Sequence, residues 1–258
     1  MSKILAITNQ KGGVGKTTTT VNLAASLAAA KQRVLMVDLD PQGNGTMGCG
    51  IEKRELKTSV YDVLLGEASV ADSRQRCEAG KFDVLPSNRD LAGAEIELVN
   101  VETREMRLRN ALTLVESEYD FILIDCPPAL NLLTLNGLCA ARSVMIPMQC
   151  EYYALEGLSD LVNTIRKVRE NLNPDLEIEG LLRTMFDPRN ALAQQVSEQL
   201  QQHFGDKVYR TVIPRNVRLA EAPSFGIPAL YHDSQSKGTL AYLALAGEML
   251  NNATAVAA

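Results

Sequence analysis

The chain has 258 residues, of which 46% are hydrophobic and 22% are charged, and its formal net charge is −5. This composition is typical of a folded domain with a full core, and it excludes a disordered or low-complexity chain. The net acidity argues against a molecule that is drawn as a whole to nucleic acid, although a local basic face remains possible.

Short apolar runs alternate with helix-like segments along the chain. The alternation predicts a parallel sheet, and the lack of polar alternation within the runs predicts strands that are buried on both faces. The predicted strands cover residues 4–8, 34–38, 82–86, 121–125, 143–147, 179–185 and 208–213. We therefore predict a single doubly wound α/β domain over residues 1–258, with helices on both faces of a mainly parallel sheet and a short flexible tail at about 251–258.

A glycine-rich loop follows the first predicted strand and precedes a helix-like segment. It consists of Gln10, Lys11, Gly12, Gly13, Val14, Gly15, Lys16, Thr17 and Thr18. Glycines let the backbone amides turn inward towards phosphate, Lys16 supplies a cation for the outer phosphates, and the Thr17 hydroxyl can ligate Mg²⁺ at the helix N-terminus. We predict that residues 11–18 hold the phosphates of ATP or GTP.

The spacing of this loop departs from the usual G-x-x-x-x-G-K-S/T pattern, because Gln10 stands where glycine is expected and Lys11 is an additional lysine. The loop resembles the deviant Walker A loop of the ParA and MinD family of dimerising P-loop ATPases. This resemblance extends to residues 9–20, 151–157 and 212–226, and so to almost the entire chain. It implies ATP as the nucleotide, and it implies that Lys11 reaches the nucleotide of a partner subunit.

Carboxylates stand at the ends of two predicted strands. Asp38 and Asp40 follow the second run, and the strand period of two predicts that they face the same cleft. Asp125 ends another run in a Walker B arrangement. We predict that Asp38, Asp125 and Thr17 hold Mg²⁺, and the resemblance to switch I of the family implies that Asp40 positions the attacking water. The alternative is that Asp38 and Asp40 only cap a turn.

Two prolines follow Asp125 directly. Pro127 and Pro128 exclude a helix that begins there, and they predict a stiff segment that shifts with the γ-phosphate, as switch II of the family does.

The residues that enclose the base are less evident, because no N-K-x-D guanine motif follows the late strands. The resemblance implies an adenine pocket formed by Thr184, Met185, Pro214, Arg215 and Asn216.

The segment from residue 183 to residue 218 reverses the charge balance of the chain. It contains six basic and three acidic residues, which is a net charge of 6 − 3 = +3. The family resemblance implies a DNA surface that is not sequence-specific and that is completed when ATP joins two subunits. Its candidate residues are Arg189, Arg215, Arg218 and Lys237. The alternative is that these arginines cap helices, pair with nearby carboxylates or lie on solvated loops.

The resemblance implies an ATP-dependent DNA-partitioning switch associated with the nucleoid. The short apolar runs and the lack of a signal-peptide pattern predict the cytoplasm. An ATP-bound homodimer would bind double-stranded DNA and would be released after hydrolysis, which is weak alone and stimulated by a ParB-like protein. One alternative is a metabolic or electron-transfer ATPase that uses the same loop.

The other alternative is MinD-like membrane attachment, which needs a basic amphipathic helix at the C-terminus. The segment 238–250 has Glu248 as its one charged residue, and we predict that it packs in the core.

Five cysteines without a C-x-x-C spacing are predicted to be free, buried thiols. They are Cys49, Cys77, Cys126, Cys139 and Cys150.

Overall fold

A computed structural model describes residues 2–256 and contains an eight-stranded sheet within them. The strands are β1 (Lys3–Ile7), β2 (Val34–Asp38), β3 (Gln75–Cys77), β4 (Phe82–Leu85), β5 (Phe121–Asp125), β6 (Ser143–Gln149), β7 (Glu177–Phe186) and β8 (Val208–Pro214). Their spatial order is β3-β4-β2-β5-β1-β6-β7-β8. All neighbouring pairs are parallel except β3 with β4.

Helices connect the parallel strands. They are α1 (Lys16–Ala29), α2 (Asn44–Gly48), α3 (Val60–Leu65), α4 (Val70–Ser73), α5 (Leu91–Glu97), α6 (Arg107–Thr113), α7 (Leu132–Ala140), α8 (Ala154–Asn171), α9 (Ala191–Phe204), α10 (Val217–Glu221), α11 (Ala229–His232) and α12 (Lys237–Val256). Single 3₁₀ turns lie at Leu98–Asn100, Arg104–Met106, Glu116–Glu118, Gly205–Lys207 and Ala222–Phe225.

The two faces of the sheet are covered by separate layers of helices. Along β1, Ile4 and Ala6 belong to one buried cluster, whereas Leu5 and Ile7 belong to the other. Since successive side chains of a strand point to opposite faces, both faces of β1 are in the core. Helices α3 and α5 to α9 supply the first cluster, and α1 and α12 supply the second. The predicted doubly wound architecture is confirmed.

All seven predicted strands are present, with ends that shift by no more than a few residues. The prediction missed β3, a three-residue strand whose Gln75 and Arg76 are exposed. Its sequence has no apolar run, and it pairs antiparallel with β4 at the edge of the sheet. Such a strand is defined by its neighbour rather than by its own composition.

The last helix extends into the predicted tail. Helix α12 continues to Val256, residues 257–258 lie outside the described residues, and the flexibility of residues 251–258 stays a prediction. Tyr242, Leu245 and Met249 of this helix are buried beside α1, which confirms the predicted packing of the segment 238–250 in the core. Among residues 2–256, no helix is both long enough and apolar enough to span a bilayer.

Candidate functional site

A cavity of about 420 Å³ opens at the carboxyl ends of the central strands. Open parallel sheets bind ligands at this edge, because the strand ends and helix N-termini converge there. The phosphate loop forms one wall of the cavity, and the ends of β7 and β8 form the opposite wall. Its lining includes Gly12, Gly13, Gly15, Lys16, Thr17, Thr18, Asp40, Asn44, Pro128, Thr184, Met185, Pro214, Arg215, Asn216 and Tyr242.

The phosphate loop leaves the N-terminus of α1 without a side-chain cap. Helix α1 starts after Gly15, and its first turn contains no acidic residue. Gly13 and Gly15 have φ angles of +75° and +90°. This is a left-handed backbone conformation that residues other than glycine rarely adopt. The first amide groups of α1 therefore remain available to an anion in the cavity.

Lys16 lies inside this loop. Its Nζ donates to the carbonyl oxygen of Lys11 at 3.3 Å, and the residue is only 8% exposed. Burial lowers the pKa of Lys16, while the nearby Asp125 carboxylate acts in the opposite direction. Lys16 thus lies buried at the base of the loop, and its contact with the outer phosphates stays a prediction.

Lys11 has a different position, outside the lining of the cavity. Its Nζ contacts Oε2 of Glu151 at 2.5 Å, and the two side chains are 45% and 50% exposed. Glu151 follows β6, 140 residues away in sequence. Within one chain, therefore, Lys11 is turned away from the cavity and is held at the rim of the loop by a half-exposed ion pair.

Asp38 and Asp125 end neighbouring strands in the same register and are both fully buried. Burial raises the pKa of both carboxyl groups, and the charge of Asp38 raises the pKa of Asp125 further. Oδ1 of Asp125 accepts a hydrogen bond from Thr20 Oγ1 at 3.3 Å, whereas its Oδ2 is buried with no hydrogen-bond partner. An unpaired, buried carboxylate oxygen is costly, and it fits a site for a cation.

Only one of the two carboxylates after β2 lines the cavity. Asp40 lies at the cavity, but Asp38 accepts hydrogen bonds from the amide and hydroxyl of Thr46 at 2.7 and 2.8 Å. Asp38 and Asp40 remain adjacent, since Oδ1 of Asp38 accepts a hydrogen bond from the amide of Asp40 at 3.1 Å, and the expectation that both carboxylates face one cleft stays a prediction. Asp38 attaches the start of α2 to the sheet, and its role in metal binding stays a prediction.

The wall opposite the phosphate loop contains the residues that the resemblance assigns to the base. Thr184 Oγ1 donates to the carbonyl of Val14 at 2.7 Å, and this bond joins β7 to the phosphate loop. Met185 has a φ of +48°, which is unusual for a residue other than glycine, and it faces the cavity with Pro214 and Asn216. Val14 is buried and is not among the residues that line the cavity, so its contact with the nucleotide stays a prediction.

Sequence reasoning missed Tyr242, a buried residue of the cavity wall. Its hydroxyl lies 3.0 Å from Thr19 Oγ1 of α1. Its position in α12 is ordinary for a core residue, so no local pattern marks it as part of a site. Glu151 was missed as the partner of Lys11, although its place just after a predicted strand was a usable signal.

The candidate DNA residues are exposed but are not all free cations. Arg189 pairs with Asp187 at 2.8 Å, and Arg218 pairs with Glu221 at 2.8 Å and with Asp233 at 3.3 Å. Arg215 also lines the nucleotide cavity, and Lys237 begins α12 as an exposed residue.

The basic segment is less basic at its surface than its sequence indicates. Arg183 is 6% exposed and donates to Ser197 Oγ at 2.8 Å and to the carbonyl of Tyr209 at 2.7 Å. It therefore bridges β7, β8 and α9, and it adds nothing to a surface patch.

The five cysteines are free and buried, as predicted.

Comparison with known proteins identifies the family. Residues 2–178 match the family model described as an AAA domain. The chain is 58% identical over 252 residues to the sporulation initiation inhibitor protein Soj of Bacillus subtilis, covering 98% of this chain and 100% of that protein. It is 53% identical over 251 residues to the chromosome partitioning protein ParA of Caulobacter vibrioides, covering 96% and 94%. The chain belongs to the ParA/Soj family.

A solved structure supports the same fold for this ParA/Soj family member. Cobyrinic acid a,c-diamide synthase of Mycobacterium smegmatis, with a bound ATP analogue and magnesium, superposes with a TM-score of 0.87 at 37% identity. The match covers 98% of this chain and 96% of that chain. The predicted P-loop NTPase fold is therefore confirmed, and so is the predicted family resemblance.

Proposed function

We propose that this chain is an ATP-dependent DNA-partitioning switch. The observation that carries the proposal is the division of labour between two lysines of one loop. Lys16 is buried at the base of the phosphate cavity, whereas Lys11 is half-exposed and turned outward at its rim. In this position the Lys11 ammonium is bonded to Glu151 rather than directed into its own cavity, and this supports the proposal that it serves the cavity of a second subunit.

The nucleotide proposed for the cavity is ATP with Mg²⁺. The uncapped amides of α1 and the Lys16 ammonium would bind the phosphates, and Met185, Pro214 and Asn216 would enclose the base. Thr17 and Asp125 would hold the metal, because the unpaired oxygen of Asp125 needs a cation. When bound, Mg²⁺ would neutralise the charge that develops on the phosphates.

We propose that Asp40 positions the attacking water, since it is the carboxylate of the β2 end that lines the cavity. The Lys11 ammonium of a second subunit would add positive charge on the other side of the phosphates. A single chain supplies only part of this charge stabilisation, so its turnover alone would be low. A low intrinsic rate suits a switch that another protein resets.

The proposed output is ATP-gated binding to double-stranded DNA without sequence preference. Arg189, Arg215, Arg218 and Lys237 are the exposed candidates for contacts with phosphates. Each chain offers few free cations, because Arg189 and Arg218 are already paired with carboxylates. Two joined chains would double the patch, and the gain in affinity would then follow from dimerisation.

The names of the relatives support partitioning over a metabolic role. Two proteins that match this chain over nearly its whole length are named for chromosome partitioning and sporulation control. A ParB-like protein is the proposed partner that stimulates hydrolysis and releases the dimer from DNA. The cytoplasm, at the nucleoid, is the proposed location.

A second candidate, ATP-driven amide synthesis, rests on the likeness to the diamide synthase at 37% identity. The identity to Soj is higher, at 58%. The two functions make opposite demands on the protein, since a synthase needs no DNA and a partitioning switch needs no amide acceptor. A DNA-binding assay therefore separates them.

The test is an electrophoretic assay with random-sequence duplex, run with ATP, with ADP and without nucleotide across a salt series. We expect DNA binding in the presence of ATP but not with ADP or without nucleotide. We expect this binding to weaken steeply as the salt concentration rises. Arg218→Glu should lose DNA binding yet keep ATP-dependent dimers. Glu177→Lys, an exposed charge change at the amino end of β7, is the matched control. Equal binding in all three nucleotide states would refute the switch.

A further inference from the structure

Two buried cysteines are in contact outside the nucleotide cavity. Cys49 is the residue that follows α2, and Cys77 is the last residue of the edge strand β3. They are 3% and 0% exposed, and neither belongs to the lining of the nucleotide cavity. The Cys49 thiol donates a hydrogen bond to the sulfur of Cys77. The fold therefore joins two thiols that come from separate elements.

The register of the sheet explains why the two thiols meet. Cys77 pairs with Phe82 of β4, and Val84 of β4 pairs with Met36 of β2. Since paired residues share a face of the sheet, as do residues two apart in a strand, Cys77 and Met36 point to the same side. Cys49 Sγ lies 3.9 Å from Met36 Sδ, so α2 ends over this side. All five side chains belong to one buried cluster.

The surroundings of Cys77 favour its thiolate, which is the reactive form of cysteine. The hydrogen bond from Cys49 is the largest cause that lowers the pKa of Cys77, and a backbone hydrogen bond with Gly80 acts in the same direction. Burial raises the pKa of the three remaining cysteines, which are Cys126, Cys139 and Cys150. Cys77 is therefore the nucleophile of the pair, and Cys49 is the thiol within its reach.

Strand β3 is the element through which a small oxidant reaches the pair. It has three residues, lies at the end of the strand order, and exposes Gln75 and Arg76. The ion pair of Arg76 with Asp83 of β4 is partly exposed, so it adds little to the stability of the hairpin. A short edge strand opens at a lower cost in free energy than the central strands do. Local opening of β3 thus exposes Cys77 while the rest of the sheet stays folded.

We propose that Cys49 and Cys77 form a redox-responsive site, in which hydrogen peroxide converts the two thiols to a disulfide that fixes the end of α2 to β3. The Cys77 thiolate attacks one peroxide oxygen and the O–O bond breaks. Cys77 becomes a sulfenic acid, and the other oxygen takes up a proton and leaves as water. The Cys49 sulfur then attacks the Cys77 sulfur, and the S–O bond breaks. The hydroxyl group leaves with the Cys49 proton as a second water, so the peroxide takes up two electrons.

The disulfide restrains a helix whose other end belongs to the nucleotide site. Asn44 at the start of α2 lines the cavity, and the amide of Thr46 donates to Asp38. A cross-link at Cys49 fixes the second end of this short helix. Amide hydrogen exchange in α2 and β3 should therefore slow about tenfold after oxidation, because local opening is suppressed. A dithiol reductant restores the open state by thiol–disulfide exchange.

The experiment treats the full chain with hydrogen peroxide in the absence of nucleotide and DNA. Digestion without reductant, followed by mass spectrometry, identifies the linked peptides. We expect one linked pair that contains Cys49 and Cys77, that lacks two hydrogen atoms, and that disappears with dithiothreitol. Cys77 should be oxidised about tenfold faster than Cys139. This measurement on the wild-type chain needs no substitution, so it decides the site even where a variant folds poorly.

Alanine variants separate the roles of the two thiols. Cys49→Ala removes the thiol that resolves the sulfenic acid, so dimedone should label Cys77 in this variant after peroxide treatment. Cys77→Ala should show no dimedone adduct on Cys49. Cys150→Ala, which removes a buried thiol elsewhere in the fold, is the matched control and should form the disulfide like wild type.

Three outcomes would overturn this site. One is oxidation of Met36 or of another cysteine before Cys49 and Cys77 are linked. Another is a dimedone adduct on Cys49 in Cys77→Ala, which would reverse the assigned roles. The third is a disulfide that leaves hydrogen exchange in α2 unchanged. These measurements use neither DNA nor ATP, so their failure leaves the partitioning switch intact, and failure of ATP-gated DNA binding leaves the redox site intact.

Discussion

Lys16 shows what one residue contributes to the phosphate site. Its side chain is buried against the loop carbonyl of Lys11, and desolvation lowers its pKa. A cation kept in a desolvated cavity binds phosphate more strongly than a cation in water, because the local dielectric constant is lower. The same loop places Lys11 in solvent, so two identical side chains have different electrostatic roles.

We expect Lys16→Ala to weaken binding of ATP to the single chain about a hundredfold, because a charge-assisted contact with phosphate is removed. Titration with a fluorescent ATP analogue in the presence of Mg²⁺ measures the affinity. Lys57→Ala, which removes an exposed lysine outside the cavity, should leave the affinity unchanged. Undiminished binding by Lys16→Ala would refute its assignment to the phosphates.

At the scale of elements, α2 is attached to both the sheet and the C-terminal part of the chain. Asp38 holds the start of α2 through Thr46, and Ser87 after β4 donates its amide to Thr46 Oγ1 at 2.9 Å. At the other end, Gly50 and Gly226 are in direct backbone contact, and both have positive φ angles. A side chain at either glycine would push α2 away from the turn after α10.

We predict that Gly226→Ala destabilises the fold more than Gly66→Ala does. Both glycines have left-handed backbones, so each alanine costs about 1–2 kcal/mol. A Cβ at Gly226 would lie 2.9 Å from the Cα of Gly50, whereas a Cβ at Gly66 meets the movable end of Arg107. The backbone clash should add about 1–3 kcal/mol. Urea unfolding measures both values, and equal losses would contradict the contact.

A second link joins the start of β2 to the start of β5. The Arg33 guanidinium contacts both carboxylate oxygens of Asp120, and the Arg33 amide also donates to Asp120 at 2.8 Å. The side-chain bonds with Arg33, followed by the backbone bond, lower the pKa of Asp120. These contacts favour the ionised carboxylate, and so they favour the folded state when Asp120 is charged.

We therefore predict a pH-dependent effect of Asp120→Asn. A carboxylate with a lowered pKa stabilises the fold above its ordinary pKa of 3.8, and this contribution is lost as the pH falls through the folded value. Asp120→Asn should lower the free energy of unfolding at about pH 6, and the difference from wild type should shrink towards about pH 2. Asp175→Asn, at an exposed carboxylate, is the control. A difference that is constant with pH would contradict the charged pair.

At the scale of the whole molecule, the proposed switch depends on joining two copies. The Lys11–Glu151 pair lies in solvent at the mouth of the loop, and the exposed Tyr152 and Tyr153 follow it directly. Because the pair is half-exposed, its own contribution to stability is small, and a second chain can displace it at little cost.

We predict that Lys11→Ala binds ATP as a single chain but forms no ATP-dependent dimer. Sedimentation velocity with a non-hydrolysed ATP analogue and Mg²⁺ distinguishes the two states. Lys57→Ala serves again as the matched control, and it should dimerise like wild type. Dimers of Lys11→Ala with wild-type affinity would remove the basis for a lysine that acts across the interface.

The sequence by itself determined the fold class and the place of the site. Apolar runs without polar alternation indicate buried parallel strands, and the glycine loop and Asp125 stand directly at the ends of two of them. These features depend on neighbours within a few residues, so local patterns encode them. The edge strand β3 is the exception, because its pairing with β4 rather than its composition defines it.

Only the tertiary structure decided which of the candidate residues share the cavity. It left Asp40 at the cavity and bonded Asp38 to Thr46, turned Lys11 towards Glu151 and placed Tyr242 in the cavity wall. Lys11 and Glu151 are 140 residues apart, so their contact depends on how β1 and β6 pair in the sheet. No local pattern specifies such a contact, because it forms only when the elements pack together.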